Sequence, residues 1–208
     1  MGSSLRTEAL RLWTAVPASM PEAPALARFL ADWPASAGNE AHEPAARALP
    51  VLRWLPQIAG DADRFGGDFV EALCGSAHSL DWRQTYTVTD ISGRFLQNYG
   101  WAEILRPSAR SGASSNPQIS CGVLVLGPNT FYPPHRHEAE EIYLPLSGTA
   151  EWQQGGTVWR HRSPGTLIHH SSEELHAMRT GEHPLLAMYM WRSVDLHQEA
   201  CFERRNVE

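Results

Sequence analysis

The spacing of apolar residues changes once along the chain, near residue 81. Before that point they recur every three or four positions, as on one face of a helix. Leu5, Ala9, Leu12 and Trp13 make the first such stripe, with Thr7 and Glu8 between them. Pro21 to Trp33 predicts a second helix, with Pro21 and Pro24 near its start and Leu26, Phe29, Leu30 and Trp33 on one face. Residues 35–43 read as a small, polar connector. Ala45 to Ile58 predicts a third helical stretch, interrupted by Pro50 and Pro56. Asp68 to Leu80 predicts a fourth, with Phe69, Val70, Leu73 and Ala77 turned inward. Stripes of this kind are what a helical layer buries against another layer.

Beyond residue 81 the pattern is that of short strands. Thr85-Tyr86-Thr87-Val88-Thr89 alternates and is rich in β-formers. Further strands are predicted at 99–105, 119–126, 130–132, 141–146, 149–153, 157–161, 166–169, 176–179 and 185–191. Residues 111–117 read as a loop, and Gly127-Pro128-Asn129, Ser147-Gly148, Gln154-Gly155-Gly156, Ser163-Pro164-Gly165 and Thr180-Gly181 supply turns. Many short strands at close spacing predict a sandwich or barrel. The expected organisation is residues 1–80 as a helical region packing on residues 81–208, a barrel with a polar tail from Ser193 that is readable as helical.

With 208 residues, 42% of them hydrophobic, the chain has enough material for one sizeable core. The net charge of −6 argues against a nucleic-acid partner, which would require clustered positive charge. The three cysteines, Cys74, Cys121 and Cys201, are odd in number and far apart, which fits reduced thiols. No apolar run approaches a membrane span, and residues 1–6 lack a basic segment followed by an apolar one. A cytoplasmic protein without a membrane partner is therefore expected. A homodimer is allowed but not specified by the sequence.

The chemistry concentrates in residues 135–148. His135 and His137 are two apart, as are Glu141 and Tyr143. If the run forms two strands joined by a short turn, each pair lies on one face of its strand. Such polar groups are costly inside a core unless something satisfies them. A metal ion would, since neutral imidazole and carboxylate are its usual ligands. Glu140 falls on the opposite face, where a structural or solvated role is expected.

The order His135, His137, Glu141, Gly148 resembles the first cupin motif, with Gly127 in the place of its leading glycine. Seven residues rather than five separate Gly127 from His135. Pro164-Gly165 followed by His176 resembles the second motif, with looser spacing, and His169 and His170 are rivals of His176. The resemblance implies a cupin double-stranded β-helix, a jelly-roll barrel.

Tyr132-Pro133-Pro134-His135, His137, Glu141 and Tyr143, with later His176-Ala177-Met178-Arg179, are similar to the bacterial cupin-type dimethylsulfoniopropionate lyases of the Q and L types. That resemblance covers residues 80–192 by motif and the N-terminal half by character only. It implies a metal held by His137, Glu141 and His176, with His135 as a further ligand. It implies Tyr143 as the base of a β-elimination releasing acrylate and dimethyl sulfide, and Tyr132 as a residue that orients the substrate. The metal is a divalent or trivalent transition ion, with Fe, Zn, Mn, Co and Ni all admitted. The sulfonium end calls for aromatic faces, for which Tyr132, Tyr189 and Trp191, and also Trp152 and Trp159, are candidates. Arg179 and Arg192 read as surface ion-pair partners. Other readings of the same ligand set remain: a metal-dependent dioxygenase or isomerase, or a small-molecule-binding cupin without catalysis.

Overall fold

A computed structural model describes residues 4–34, 46–62, 65–106, 116–198 and 200–203. Four helices come first: α1 (Leu5–Ala15), α2 (Ala23–Ala31), α3 (Leu55–Asp61) and α4 (Gly67–Ser76). Ser4 caps α1, its Oγ accepting from the Thr7 amide at 3.3 Å. The third predicted stretch is two short pieces, each with its proline in the first turn, where the missing N–H costs least: a 3-10 turn over Pro50–Trp54, then α3. The connector predicted at 35–43 lies outside the described residues, as does most of the loop predicted at 111–117.

The strands are β1 (Trp82–Arg83), β2 (Tyr99–Leu105), β3 (Gln118–Leu126), β4 (Phe131–Arg136), β5 (Glu140–Ser147), β6 (Ala150–Gln154), β7 (Arg160–Arg162), β8 (Ile168–His170), β9 (His176–Thr180), β10 (Leu185–Ser193) and β11 (Cys201–Phe202). They form a six-stranded sheet, β1-β2-β3-β10-β5-β8, and a five-stranded sheet, β11-β4-β9-β6-β7. All these pairings are antiparallel. This is the jelly-roll barrel of a cupin.

The middle of the six-stranded sheet is buried on both faces. Ile142, Leu144 and Leu146 of β5, Met188 and Met190 of β10, and Val123 and Val125 of β3 share one core with Leu12, Trp13, Phe29, Ile58 and Leu73 of the helices. The alternate residues Tyr143, Ala187, Tyr189 and Leu124 share a second core with Tyr132, Trp152 and Met178 inside the barrel. Trp13, fully buried, donates Nε1–H to Cys121 Sγ at 3.4 Å and ties α1 to β3. The helices thus pack on the outside of this sheet, and the site lies on its inside.

Two expectations need correction. Residues 85–89 form no strand. The Thr87 amide and hydroxyl both donate to Asp90 Oδ2 at 2.7 Å, and the Asp90 amide returns to the Thr87 carbonyl at 3.0 Å. Side-chain bonding of this kind competes with a ladder, and the segment turns, leaving Val88 exposed. A short helix, α5 (Gly93–Gln97), follows, capped by Ser92, whose Oγ accepts from the Phe95 amide. The described part of the tail is not helical; Cys201 and Phe202 pair with Arg136 and His135.

Gly148 ends β5 with φ +74°. A Cβ there would press into the Pro184 carbonyl oxygen. Gly148→Ala is therefore expected to lower unfolding free energy by about 1–3 kcal/mol, read as a lower urea midpoint at unchanged slope.

Candidate metal centre

The site sits where the two sheets are stitched together. β4 belongs to one sheet and β5 to the other, and only residues 137–139 join them. His135 lies opposite His176 in the β4–β9 ladder. Across the facing sheet Trp191, Glu141 and His170 stand in one row. Residues directly opposite in an antiparallel pair share a face, so both rows turn into the barrel, with His137 on the connection between them.

One donor atom from each of His137, Glu141 and His176 lies within 4.8 Å of the others. All three side chains are at most 2% exposed. His137 Nε2 is 3.0 Å and His176 Nε2 3.4 Å from Glu141 Oε2. The other carboxylate oxygen accepts from Trp191 Nε1 at 2.6 Å. His135, His137 and His176 are each anchored through Nδ1, at 2.8 Å from the carbonyls of Pro133, Ala139 and Glu174. A carbonyl only accepts, so each Nδ1 carries the proton and each Nε2 a lone pair. Lone pairs and carboxylate oxygen then face one another at 3.0–3.4 Å. Acceptors so close repel unless a proton or cation lies between them. His176 Nε2 has no hydrogen-bond partner among the described residues. Backbone anchoring of this sort is what orients metal-binding histidines, so the residues fit a metal ion.

The electrostatics agree. Burial disfavours the Glu141 carboxylate, but His137 and His176 outweigh it and hold its pKa well below the usual range. Burial also opposes a charge on His137, yet Glu141 lifts its pKa above the ordinary imidazole value. Burial, then His176, pushes His135 and His170 well below that value.

His135 is not in the group of three. Its ring is 4.2 Å from that of His176 and stacks on Tyr132 at 3.9 Å. Tyr143 and Tyr189 are opposite each other in register and nearly buried. Gly122 makes room for Tyr189, since a Cβ there would stand 2.7 Å from its Oη. Trp152 lies 4.9 Å from Tyr143, and Trp191 lies 4.3 Å from His137. These residues enclose the cluster.

Other candidates lie elsewhere. Trp159 is on the outside under Arg179, 4.6 Å away, and Arg179 pairs with Glu151. His169 bonds Glu140 at 2.7 Å, and Glu140 also meets Arg28 and Arg192, in a network binding α2 to the sheet. Sequence reading does not single out Tyr86, whose Oη is 3.0 Å from Tyr132 Oη, or Phe202, which stacks on Tyr86 at 4.0 Å. Their separation along the chain leaves no local signal.

Fold and donor set define a cupin with a buried histidine–glutamate cluster. The chain belongs to the dimethylsulfoniopropionate lyase family, whose profile matches residues 25–187. It is 29% identical over 122 residues to the dimethylsulfoniopropionate lyase DddQ of Ruegeria pomeroyi, a match spanning 59% of this chain and 59% of that protein. A crystal structure described for the lyases RdDddP and RnDddQII superposes with a TM-score of 0.79 at 27% identity, covering 96% of each chain. The crystal structure of the Ruegeria pomeroyi DddQ gives 0.76 at 24% identity, covering 98% of this chain and 96% of that one, and shares the fold.

Among the described residues no helix is long and apolar enough to cross a membrane.

Proposed function

We propose that this protein is a carbon–sulfur lyase that cleaves dimethylsulfoniopropionate to acrylate and dimethyl sulfide. The observation that carries the reading is the inner face of β5, which presents Glu141 to two imidazoles and Tyr143 two residues further on. His137, Glu141 and His176 would hold the metal, with His135, whose ring lies beside that of His176, as a further ligand. When bound, the ion supplies positive charge that polarises the substrate carboxylate and favours a phenolate nearby.

The chain's own residues do the rest. Burial, then the Glu141 charge, pushes the Tyr143 phenol well above its ordinary pKa, so its conjugate phenolate is a strong base. Tyr143 Oη takes the proton from the carbon α to the carboxylate. The released electron pair forms the C=C bond, and the C–S bond breaks with its pair onto sulfur, giving neutral dimethyl sulfide. Tyr132, Tyr189 and Trp191 offer ring faces to the sulfonium cation. A cytoplasmic setting suits the three free cysteines.

Purified, metal-loaded protein given dimethylsulfoniopropionate is expected to release dimethyl sulfide and acrylate in equal amounts, with or without oxygen. Headspace gas chromatography with acrylate quantification checks this. No dimethyl sulfide from protein with full metal content rejects the reading, and strict oxygen dependence favours a dioxygenase.

A further inference from the structure

His170 has no task in the chemistry proposed for this site. It stands opposite Glu141 in the β5–β8 ladder, so its ring enters the barrel beside the cluster. The ring lies 4.1 Å from that of His176 at an interplanar angle of 15°, and 6.0 Å from that of Tyr143. It is fully buried, and neither ring nitrogen has a hydrogen-bond partner among the described residues. A neutral imidazole carries one N–H and one lone pair, and burying both unmet is costly. A phenyl ring would fill the same stack without that cost. His170 also falls outside the group of donors that lie within 4.8 Å of one another. The partner its nitrogens lack is therefore best supplied by a molecule that enters the barrel.

We propose that His170 is a substrate-contacting residue whose imidazole N–H donates a hydrogen bond to the carboxylate of the bound substrate. This rests on the lyase reading for the identity of that substrate. Its sulfonium end carries no acceptor, so only the carboxylate can answer an N–H. One carboxylate oxygen turned to the cluster leaves the other for His170. As the α-proton leaves, negative charge spreads onto these oxygens, and a donor already in place there gains strength. Acrylate keeps the carboxylate and serves as a probe that does not depend on turnover.

The test is calorimetric titration of acrylate into metal-loaded wild type, His170→Phe and His170→Gln, with metal content and thermal unfolding measured on each. In His170→Phe, metal content is expected to be unchanged, the unfolding temperature equal or higher, and acrylate affinity about ten- to hundredfold weaker. His170→Gln, which restores an N–H, is expected to recover part of the affinity. Acrylate binding by His170→Phe equal to wild type overturns the proposal. So does loss of metal, which would make His170 a ligand, or failure of that variant to fold, which would make it structural. Wild type that binds no acrylate overturns it too. Dimethyl sulfide release with His170-independent acrylate binding rejects this inference and leaves the lyase reading standing. His170-dependent acrylate binding without dimethyl sulfide release does the reverse.

Discussion

Tyr143→Phe is expected to keep its metal and its fold and to lose elimination by about 100- to 10,000-fold in kcat, the range a positioned general base supplies. The substitution removes one oxygen from a nearly buried ring that packs against Trp152, so the barrel interior stays filled. Burial, and then the Glu141 carboxylate beside it, raises the phenol pKa, and removal of the hydroxyl leaves that carboxylate its contacts with His137 and Trp191. A fall in rate with unchanged metal content and unfolding temperature therefore isolates proton removal. Headspace dimethyl sulfide under saturating substrate reads it. Full activity in Tyr143→Phe would move the base to another residue.

Glu141→Gln is expected to weaken metal binding by more than about 100-fold, beyond what loss of an outer hydrogen-bond partner costs. The amide oxygen can still accept from Trp191, and the amide NH2 can donate to the Nε2 lone pair of His137. The variant cluster would then satisfy itself without a cation. Metal content after dialysis and competition with a chelator measure the loss. The wild-type site should also release metal in acid. Because Glu141 lifts the pKa of His137 above the ordinary imidazole value, a proton competes for Nε2 at higher pH than it would on a free imidazole. A raised pKa means more protonated ring at a given pH, so affinity falls as pH falls through that value, by about tenfold per pH unit below it for one such proton. It levels off above it. A pH-independent metal affinity between 5 and 8, taken as roughly the window where imidazole titrates, would remove His137 from the ligand set.

The donor motif is legible in the sequence because it is local. His137 and Glu141 are four residues apart, and a strand, a short turn and a second strand suffice to bring them together. His176 is legible through its place at the start of an apolar strand. The barrel is legible for a related reason: turn residues punctuate short β-rich runs. What the sequence does not reveal depends on register between distant segments. His170 faces Glu141 only because β8 pairs with β5 as it does. Tyr86 reaches Tyr132 only because Thr87 and Asp90 turn the chain where alternation predicts a strand. The pairing of Cys201 and Phe202 with β4 is too short to leave a pattern.

The alternation along β5 has a consequence for how this protein can change over generations. Ile142, Leu144 and Leu146 hold the helices, and Glu141 and Tyr143 face the inside of the barrel. A single inserted or deleted residue within this strand would exchange the two sets at a stroke, setting a carboxylate against the helices and aliphatic groups inside the barrel. Length variation is thus barred from β5. The exposed Gly155 and Gly156 in the turn after β6, whose lengthening displaces neither set, are where such variation can accumulate.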